Sequence, residues 1–353
     1  MKKFILFWPD YINAFLTKDV GIIPAVMQSS FGYKSSILTM KNDRQYPDNK
    51  KYNLNLDIDF YENEDELIKY LESVDILMLI GIYPFNLDII EKYKNIKPDG
   101  KIYMKLDANI HWMTRLNGSM NEDILSTLNK VDLISVESRS LQYYINATWN
   151  LFVEFIPNGY YDFVEDEYIN YEDKENIIIF VGRVGTPEKA NHILLEAFRD
   201  VHSQIRDWKL ELVGNVDESF LPYLNQYMND ESIKDKVILK GQLDKIQLKE
   251  EYKKAKVFCL TSPCESCANV FSESISNGCY LISSNVDGAI DIMDYGRYGR
   301  LFPINDIRAL GDLLIKICND DNLLRKTCEL SQRYAKNNLK WINLCKNIYD
   351  KLK

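Results

Sequence analysis

Short apolar runs alternate with segments of helical periodicity along most of this 353-residue chain. Apolar runs bounded by turn-forming residues are typical of parallel strands that are covered on both faces. They form two series, at residues 4–8, 37–40, 76–80, 102–106, 133–136 and 152–156, and at residues 177–181, 210–213, 237–239, 257–260 and 280–283. The alternation of strands and helices predicts an α/β protein with two Rossmann-like, doubly wound parallel sheets.

The chain is long enough for two domains, each with its own core. A polar, acidic and tyrosine-rich segment separates the two series of apolar runs. We therefore predict a first domain over residues 1–157, a linker over residues 158–175 and a second domain over residues 176–338.

Charge and cysteine usage exclude several classes of protein. The chain carries 43 basic and 52 acidic residues, a net charge of −9, and has no long basic run, so we expect no nucleic-acid partner. Seven cysteines at irregular spacing do not form a disulfide framework. No apolar stretch approaches the roughly 20 residues that cross a bilayer. We expect a cytoplasmic protein, with peripheral membrane contact and oligomeric state left open.

The stretch over residues 258–288 carries the most chemistry. An apolar run ends in small polar residues, Glu265 follows in a predicted loop, and Glu273 lies eight positions later in a helical segment. The start of that helix would leave backbone N–H groups free at the positive end of its dipole, which suits a diphosphate. These groups would be the N–H groups of Asn269, Val270 and Phe271. The two glutamates would then border one ligand.

This stretch resembles the donor-site signature of retaining glycosyltransferases of the GT-B fold, glycosyltransferase family 4, in which two glutamates bracket a nucleotide-sugar. Residues 178–190 resemble that family's strand and Gly-Arg…Lys phosphate clamp, and residues 286–291 its Gly-containing turn after the next strand. The resemblance covers most of residues 175–320. It implies two Rossmann-like domains facing across a cleft and a final helix, at residues 339–353, that crosses back to the first domain.

The resemblance also implies roles for individual residues. Arg183 and Lys189 would hold the leaving phosphates, because arginine can fork two phosphate oxygens and lysine adds a point charge. Glu265 would accept hydrogen bonds from the transferred sugar, and Glu273 from the ribose. No metal and no separate cofactor is then required.

Other candidate residues follow predicted strands. In the resembled family a glycine of the first domain lies near the donor phosphates and a loop histidine near the donor sugar, which makes Gly21 and His111 the candidates here. Gly214, Gly241 and Leu243 could border the base. The plainer interpretations are a glycine at a helix start, an exposed loop histidine and simple turns after strands.

We predict a retaining glycosyltransferase of hexosyltransferase type. It would move a sugar from a nucleotide-sugar, UDP-linked by family precedent, to a glycan, lipid-linked or protein acceptor. One alternative is a GT-B subunit that binds a partner without catalysis, since four positions depart from the family's usual residues: Val20, Ala190, Ala268 and Asp291. A nucleotide-sugar epimerase is a further alternative. Cys264 and Cys267 have metal-like spacing but no second pair nearby, so we predict no metal site.

Overall fold

The computed structural model describes residues 1–164 and 167–353. The chain divides into two compact units, one formed by Met1–Tyr161 with Leu339–Lys353 and the other by Asp162–Asn338. Residues 165 and 166, which belong to the predicted linker, lie outside the described residues. Each unit is a parallel sheet with surrounding helices, so the predicted pair of Rossmann-like units is confirmed.

The first unit contains a parallel sheet of seven strands in the order β3-β2-β1-β4-β5-β6-β7. The strands are β1 (Lys3–Phe7), β2 (Lys34–Met40), β3 (Asp57–Tyr61), β4 (Ile76–Ile80), β5 (Lys101–Lys105), β6 (Leu133–Val136) and β7 (Glu154–Phe155). The helices are α1 (Asp19–Phe31), α2 (Asp48–Lys51), α3 (Glu64–Leu71), α4 (Pro84–Ile96), α5 (Ile110–Asn117), α6 (Glu122–Leu128) and α7 (Arg139–Trp149). All residues of β4 are buried, as expected for a central strand that is covered on both faces.

The second unit contains six parallel strands in the order β10-β9-β8-β11-β12-β13. The strands are β8 (Glu175–Val181), β9 (Lys209–Val213), β10 (Val237–Gly241), β11 (Ala255–Leu260), β12 (Tyr280–Ser284) and β13 (Gly299–Phe302). The helices are α8 (Asn191–Val201), α9 (Leu221–Met228), α10 (Lys245–Lys254), α11 (Asn269–Ser276), α12 (Ala289–Ile292), α13 (Ile307–Cys318) and α14 (Asp321–Asn338). Short 3-10 helices lie at Asn13–Phe15, Tyr171–Asp173 and Glu218–Phe220.

Every predicted apolar run overlaps a strand, whereas β3 and β13 lie outside the predicted runs. Both of these are edge strands. In both sheets the first strand pairs on one side with the second strand and on the other side with the fourth. This reversal of the strand order creates a crevice at the carboxyl ends of the two central strands, where ligands of open α/β sheets bind. No helix in the described part of the chain is long and apolar enough to cross a membrane.

The chain returns to the first unit through a last helix, α15 (Trp341–Leu352), which packs on α1. Tyr160 N–H donates to the carbonyl oxygen of Leu339 over 3.0 Å, and Trp341 N–H donates to that of Tyr160 over 3.1 Å. Gly159 lies in this crossing, where a Cβ atom would be only 2.5 Å from the Leu339 carbonyl oxygen and 2.7 Å from Leu344 Cδ1. A larger residue therefore cannot fit without moving α15.

We expect Gly159→Ala to destabilise the first unit by about 1–3 kcal/mol, the usual cost of overpacking. Gly118→Ala is the matched control, because its Cβ would meet nothing nearer than the Arg115 carbonyl oxygen at 3.6 Å. Urea unfolding followed by circular dichroism measures both variants. Equal unfolding midpoints for the two alanine variants would show that the crossing tolerates a side chain.

Candidate functional site

Two loops meet where the strand order of the second unit reverses. One loop follows β8 and the other follows β11, and these strands are paired neighbours. Thr261 Oγ1 donates to the carbonyl oxygen of Lys189 over 2.9 Å, and the Lys189 ammonium forms an ion pair with Glu265. Residues that lie far apart in the sequence therefore form one site at the carboxyl edge of the sheet, the position where such sheets bind ligands.

Helix α11 begins at Asn269 at the end of the second loop, as the sequence predicts. Its N-cap, Ala268, offers no side-chain acceptor. Within the described residues, no acceptor meets the backbone N–H groups of Asn269 and Val270, whereas Phe271 N–H donates to the Ala268 carbonyl oxygen over 2.9 Å. The Phe271 side chain is fully buried. The structure therefore corrects one detail: two of the three predicted N–H groups are available to an anion, and the third is not.

Two buried polar atoms lie on this second loop and at the helix start. Ser262 Oγ and Asn269 Oδ1 have no hydrogen-bond partner in the described part of the chain. Leaving a buried polar atom unpaired costs free energy, so such atoms indicate a ligand or water that completes them. They add to the unpaired N–H groups of α11.

Both predicted cations lie on the loop after β8. The Arg183 side chain is 63% exposed, with Nη2 3.7 Å from Glu188 Oε2, whereas Lys189 is largely buried. Hydrogen bonds from its own backbone and from Thr186 lower the pKa of Glu188, and the charges of Arg183 and Lys189 lower it further. The two cations therefore lie close enough to act on one carboxylate.

Glu273 lies one turn into α11 and is also paired. Its carboxylate forms an ion pair with Lys245, the first residue of α10, and accepts a long hydrogen bond of 3.4 Å from Tyr252 OH. Burial, and then the Glu273 charge, raise the pKa of Tyr252 well above its usual value. Sequence reasoning missed Lys245, whose only local signal is its place at the start of a helix after β10.

The glycines at the carboxyl ends of β8, β9 and β10 pack against one another. Gly182 N–H donates to the Val213 carbonyl oxygen over 2.9 Å, and Gly214 N–H to that of Gly241 over 2.8 Å. A Cβ atom on Gly214 would lie 1.9 Å from the Gly182 carbonyl oxygen, so close packing explains this glycine without any ligand. Gly241 has open space around it, and Leu243 is half-buried.

The structure revises the candidates of the first unit. Gly21 lies inside the first turn of α1 and is buried, and its Cβ would be 2.2 Å from the Leu16 carbonyl oxygen. Packing against Leu16 therefore accounts for this glycine, and the predicted approach to donor phosphates gains no support. His111 is exposed at the second position of α5 and makes no side-chain hydrogen bond within the described residues.

Comparison with known proteins places this site in a family. A model of the family described as Glycosyl transferases group 1 matches residues 165–341, half of the chain. The capsular polysaccharide biosynthesis glycosyltransferase CapM of Staphylococcus aureus is 28% identical over 166 residues, covering 45% of this chain and 41% of CapM. The phosphatidyl-myo-inositol mannosyltransferase of Mycolicibacterium smegmatis is 27% identical over 154 residues, covering 43% of this chain and 39% of that enzyme. The chain thus spans about two fifths of the length of these relatives.

A solved structure extends the likeness to both units. Alr3699/HepE of Anabaena, crystallised with UDP, matches 100% of this chain and 99% of its own with a TM-score of 0.76. Sequence identity is 14%, so this likeness concerns the fold alone, which is of the GT-B type. With the family model covering the whole candidate site, the chain belongs to the family of glycosyl transferases group 1.

Proposed function

We propose that this chain is a glycosyltransferase that binds a nucleotide-sugar at the carboxyl ends of β8 and β11. The observation that carries this proposal is the Lys189–Glu265 ion pair, which joins the cation-bearing loop to the loop before α11. Phosphate-binding groups and hydroxyl-binding groups thereby share one site. No nucleic acid and no metal has a role in the proposed reaction.

The diphosphate has a complete set of partners in this site. Arg183 supplies an exposed fork of donors, Lys189 an ammonium group, and α11 two unpaired backbone N–H groups. Negative charge grows on the diphosphate as the sugar leaves, so fixed cations and N–H dipoles stabilise the transition state more than the ground state. These groups provide that stabilisation without a metal ion.

Two carboxylates are available for the hydroxyl groups of the donor. Glu265 adjoins the phosphate-binding loop and is assigned to the transferred sugar, and Glu273, one turn into α11, to the ribose. Each carboxylate can accept hydrogen bonds from two hydroxyl groups. Gly241, the last residue of β10, and Leu243 are assigned to the base, since Gly241 leaves open space beside its backbone.

The relatives support the type of donor and acceptor. Alr3699/HepE was crystallised with UDP, so we assign a UDP-linked sugar. CapM is named for capsular polysaccharide biosynthesis and the mycobacterial relative for mannosyl transfer to phosphatidyl-myo-inositol, so we assign a glycan or a lipid-linked acceptor. Retention of the anomeric configuration follows from the resemblance to family 4. Glu265 is assigned to hydrogen bonds with the transferred sugar and not to nucleophilic attack.

A second candidate is a subunit that binds a partner without transferring sugar. One observation favours it: Lys189 and Lys245 are each already neutralised by a glutamate of the site. If these pairs persist in solution, the positive charge available to a diphosphate comes from Arg183 and the start of α11. Titration with UDP separates the candidates, because the absence of binding heat would favour the subunit.

We expect Arg183→Ala to weaken UDP binding about 10- to 100-fold, since a hydrogen bond to a charged group contributes about 1.5–3 kcal/mol. Isothermal titration calorimetry gives the dissociation constants. Arg333→Ala is the matched control, because Arg333 on α14 is 67% exposed and also paired with one carboxylate, Glu329. Equal UDP affinity for the Arg183→Ala variant and the wild-type chain would remove Arg183 from the site.

The Glu265→Gln variant should separate the effect on sugar transfer from the effect on nucleotide binding. Removing this carboxylate frees the Lys189 ammonium, so UDP affinity should stay within about threefold of wild type or rise. Sugar transfer should fall by about 100-fold or more, the scale of losing one preorganised polar contact in a transition state. Glu273→Gln is the comparison and should lower UDP affinity, because its assigned contact is with the ribose. Transfer by Glu265→Gln at the wild-type rate would contradict the assignment.

A further inference from the structure

A buried charged cluster lies at the carboxyl edge of the sheet in the first unit. Lys105, the last residue of β5, is completely buried, and its Nζ atom lies 2.8 Å from Glu137 Oε1 and 2.9 Å from Asp19 Oδ2. The same ammonium lies 3.7 Å from Asp107 Oδ1. Asp19 opens α1 after β1, and Glu137 follows β6. The ends of β5 and β6 and the start of α1 therefore meet at one lysine.

This cluster is an inefficient way to stabilise a fold. Taking charges out of water is expensive, and apolar residues of similar volume usually stabilise a core as well or better. Burial raises the pKa of Glu137 to about 7, although the Lys105 ammonium opposes that shift. Burial alone would lower the pKa of Lys105, but Asp19 and Glu137 raise it well above its usual value. Shifted groups of this kind collect at functional sites.

Asp107 is the member of the cluster that solvent reaches. Its side chain is 45% exposed, whereas those of Lys105 and Glu137 are buried. Its backbone has a φ angle of 46°, in the left-handed region that aspartate adopts more readily than most residues but less readily than glycine. Asp107 N–H donates to Glu137 Oε1 over 3.2 Å, the same oxygen that accepts from Lys105. The cluster therefore holds the backbone of Asp107, and the Asp107 carboxylate lies within ion-pair distance of Lys105.

The charges of the cluster define the chemistry of a ligand. One lysine meets three carboxylates, so negative charge is in excess and the cluster repels phosphates. Among the described residues no group of acidic, histidine or cysteine side chains is arranged as a metal site. Glu137 Oε2 is fully buried and has no hydrogen-bond partner in the described part of the chain. An exposed carboxylate on a backbone that is held in place accepts hydrogen bonds from neutral hydroxyl groups.

We propose that the Asp107 carboxylate binds a hydroxyl group of the acceptor, and that Lys105 and Glu137 are positioning residues that hold it. This inference rests on the proposed glycosyltransferase function. The first unit is the one that lacks the candidate diphosphate site, and Asp107 lies at the carboxyl edge of its sheet, where ligands of such sheets bind. Asp107 is therefore assigned to the acceptor and the second unit to the donor.

The test uses Asp107→Asn in the full chain, since asparagine keeps the size of the side chain and tolerates the left-handed backbone. Wild type is first assayed with a panel of UDP-sugars and p-nitrophenyl glycosides as acceptors, and the most active pair is kept. The variant should raise the KM for the acceptor about tenfold or more, the scale of a hydrogen bond to a charged group. UDP affinity and donor hydrolysis without acceptor should stay within about twofold.

Asp132→Asn is the matched control. Asp132 also accepts from lysine ammonium groups, Lys94 at 2.8 Å and Lys101 at 2.9 Å, and from a backbone N–H group, that of Ile102 at 2.9 Å. It lies just before β6, at the opposite edge of the same sheet. Loss of this carboxylate should leave the acceptor KM unchanged, so a general effect of removing an aspartate from the first unit is excluded.

Asp107→Gly separates binding from folding. Glycine adopts the left-handed backbone without a steric penalty, so the variant should stay folded, with a cooperative melting transition close to that of wild type, while the acceptor KM rises as in Asp107→Asn. A normal acceptor KM in both Asp107 variants overturns the inference and leaves the proposed function standing. Equal losses of UDP affinity and acceptor use would also overturn it. A wild-type chain that neither binds UDP nor transfers sugar to any acceptor of the panel overturns both.

Discussion

All strands of each sheet run in the same direction, and this constraint places the chemistry of the molecule. Parallel pairing puts every carboxyl end at one edge, so loops that are distant in sequence become neighbours there. In the second unit it brings Lys189 to Glu265, and in the first unit it brings Asp19 and Glu137 to Lys105. None of these contacts is local in sequence, and each follows from the strand order.

The ion pairs of the second unit balance the charges of the site when no ligand is bound. Glu265 and Glu273 each face a lysine, so neither a partly buried carboxylate nor a partly buried ammonium is left without a countercharge. A nucleotide-sugar would bring both kinds of partner at once, phosphates for Lys189 and hydroxyl groups for the glutamates. When the ligand binds, each charged side chain then exchanges one partner for another, and no charge is left unpaired in a desolvated place. Buried charges require such pairing.

The sequence predicts the sheets well because their central strands are continuous apolar runs. It predicts the start of α11 and the Arg183–Lys189 loop because both follow such runs directly. The sequence does not predict the edge strands β3 and β13, because they are only partly buried and their apolar signal is weak. Gly21 shows the limit from the other side, since close packing against the Leu16 backbone accounts for a glycine that also resembles a ligand contact. Local pattern cannot separate these two reasons for a glycine.

The pairing of Lys105 with Asp19, and of Lys245 with Glu273, could not be read from the sequence because only the strand order makes these residues neighbours. In the sequence Lys105 looks like a polar residue near the end of an apolar run. The two edges of the first sheet show why its burial matters. At the amino edge Asp132 meets partly exposed lysines and caps a strand, which stabilises the fold at little cost.

At the carboxyl edge the same kinds of groups are buried, one lysine faces more than one acid, and the exposed aspartate has a left-handed backbone. Stability alone does not call for a buried lysine at position 105, since apolar residues of similar volume usually stabilise a core as well or better. A buried charged cluster beside an exposed aspartate is the arrangement expected where a chain gives up stability to hold one side chain in place for a substrate.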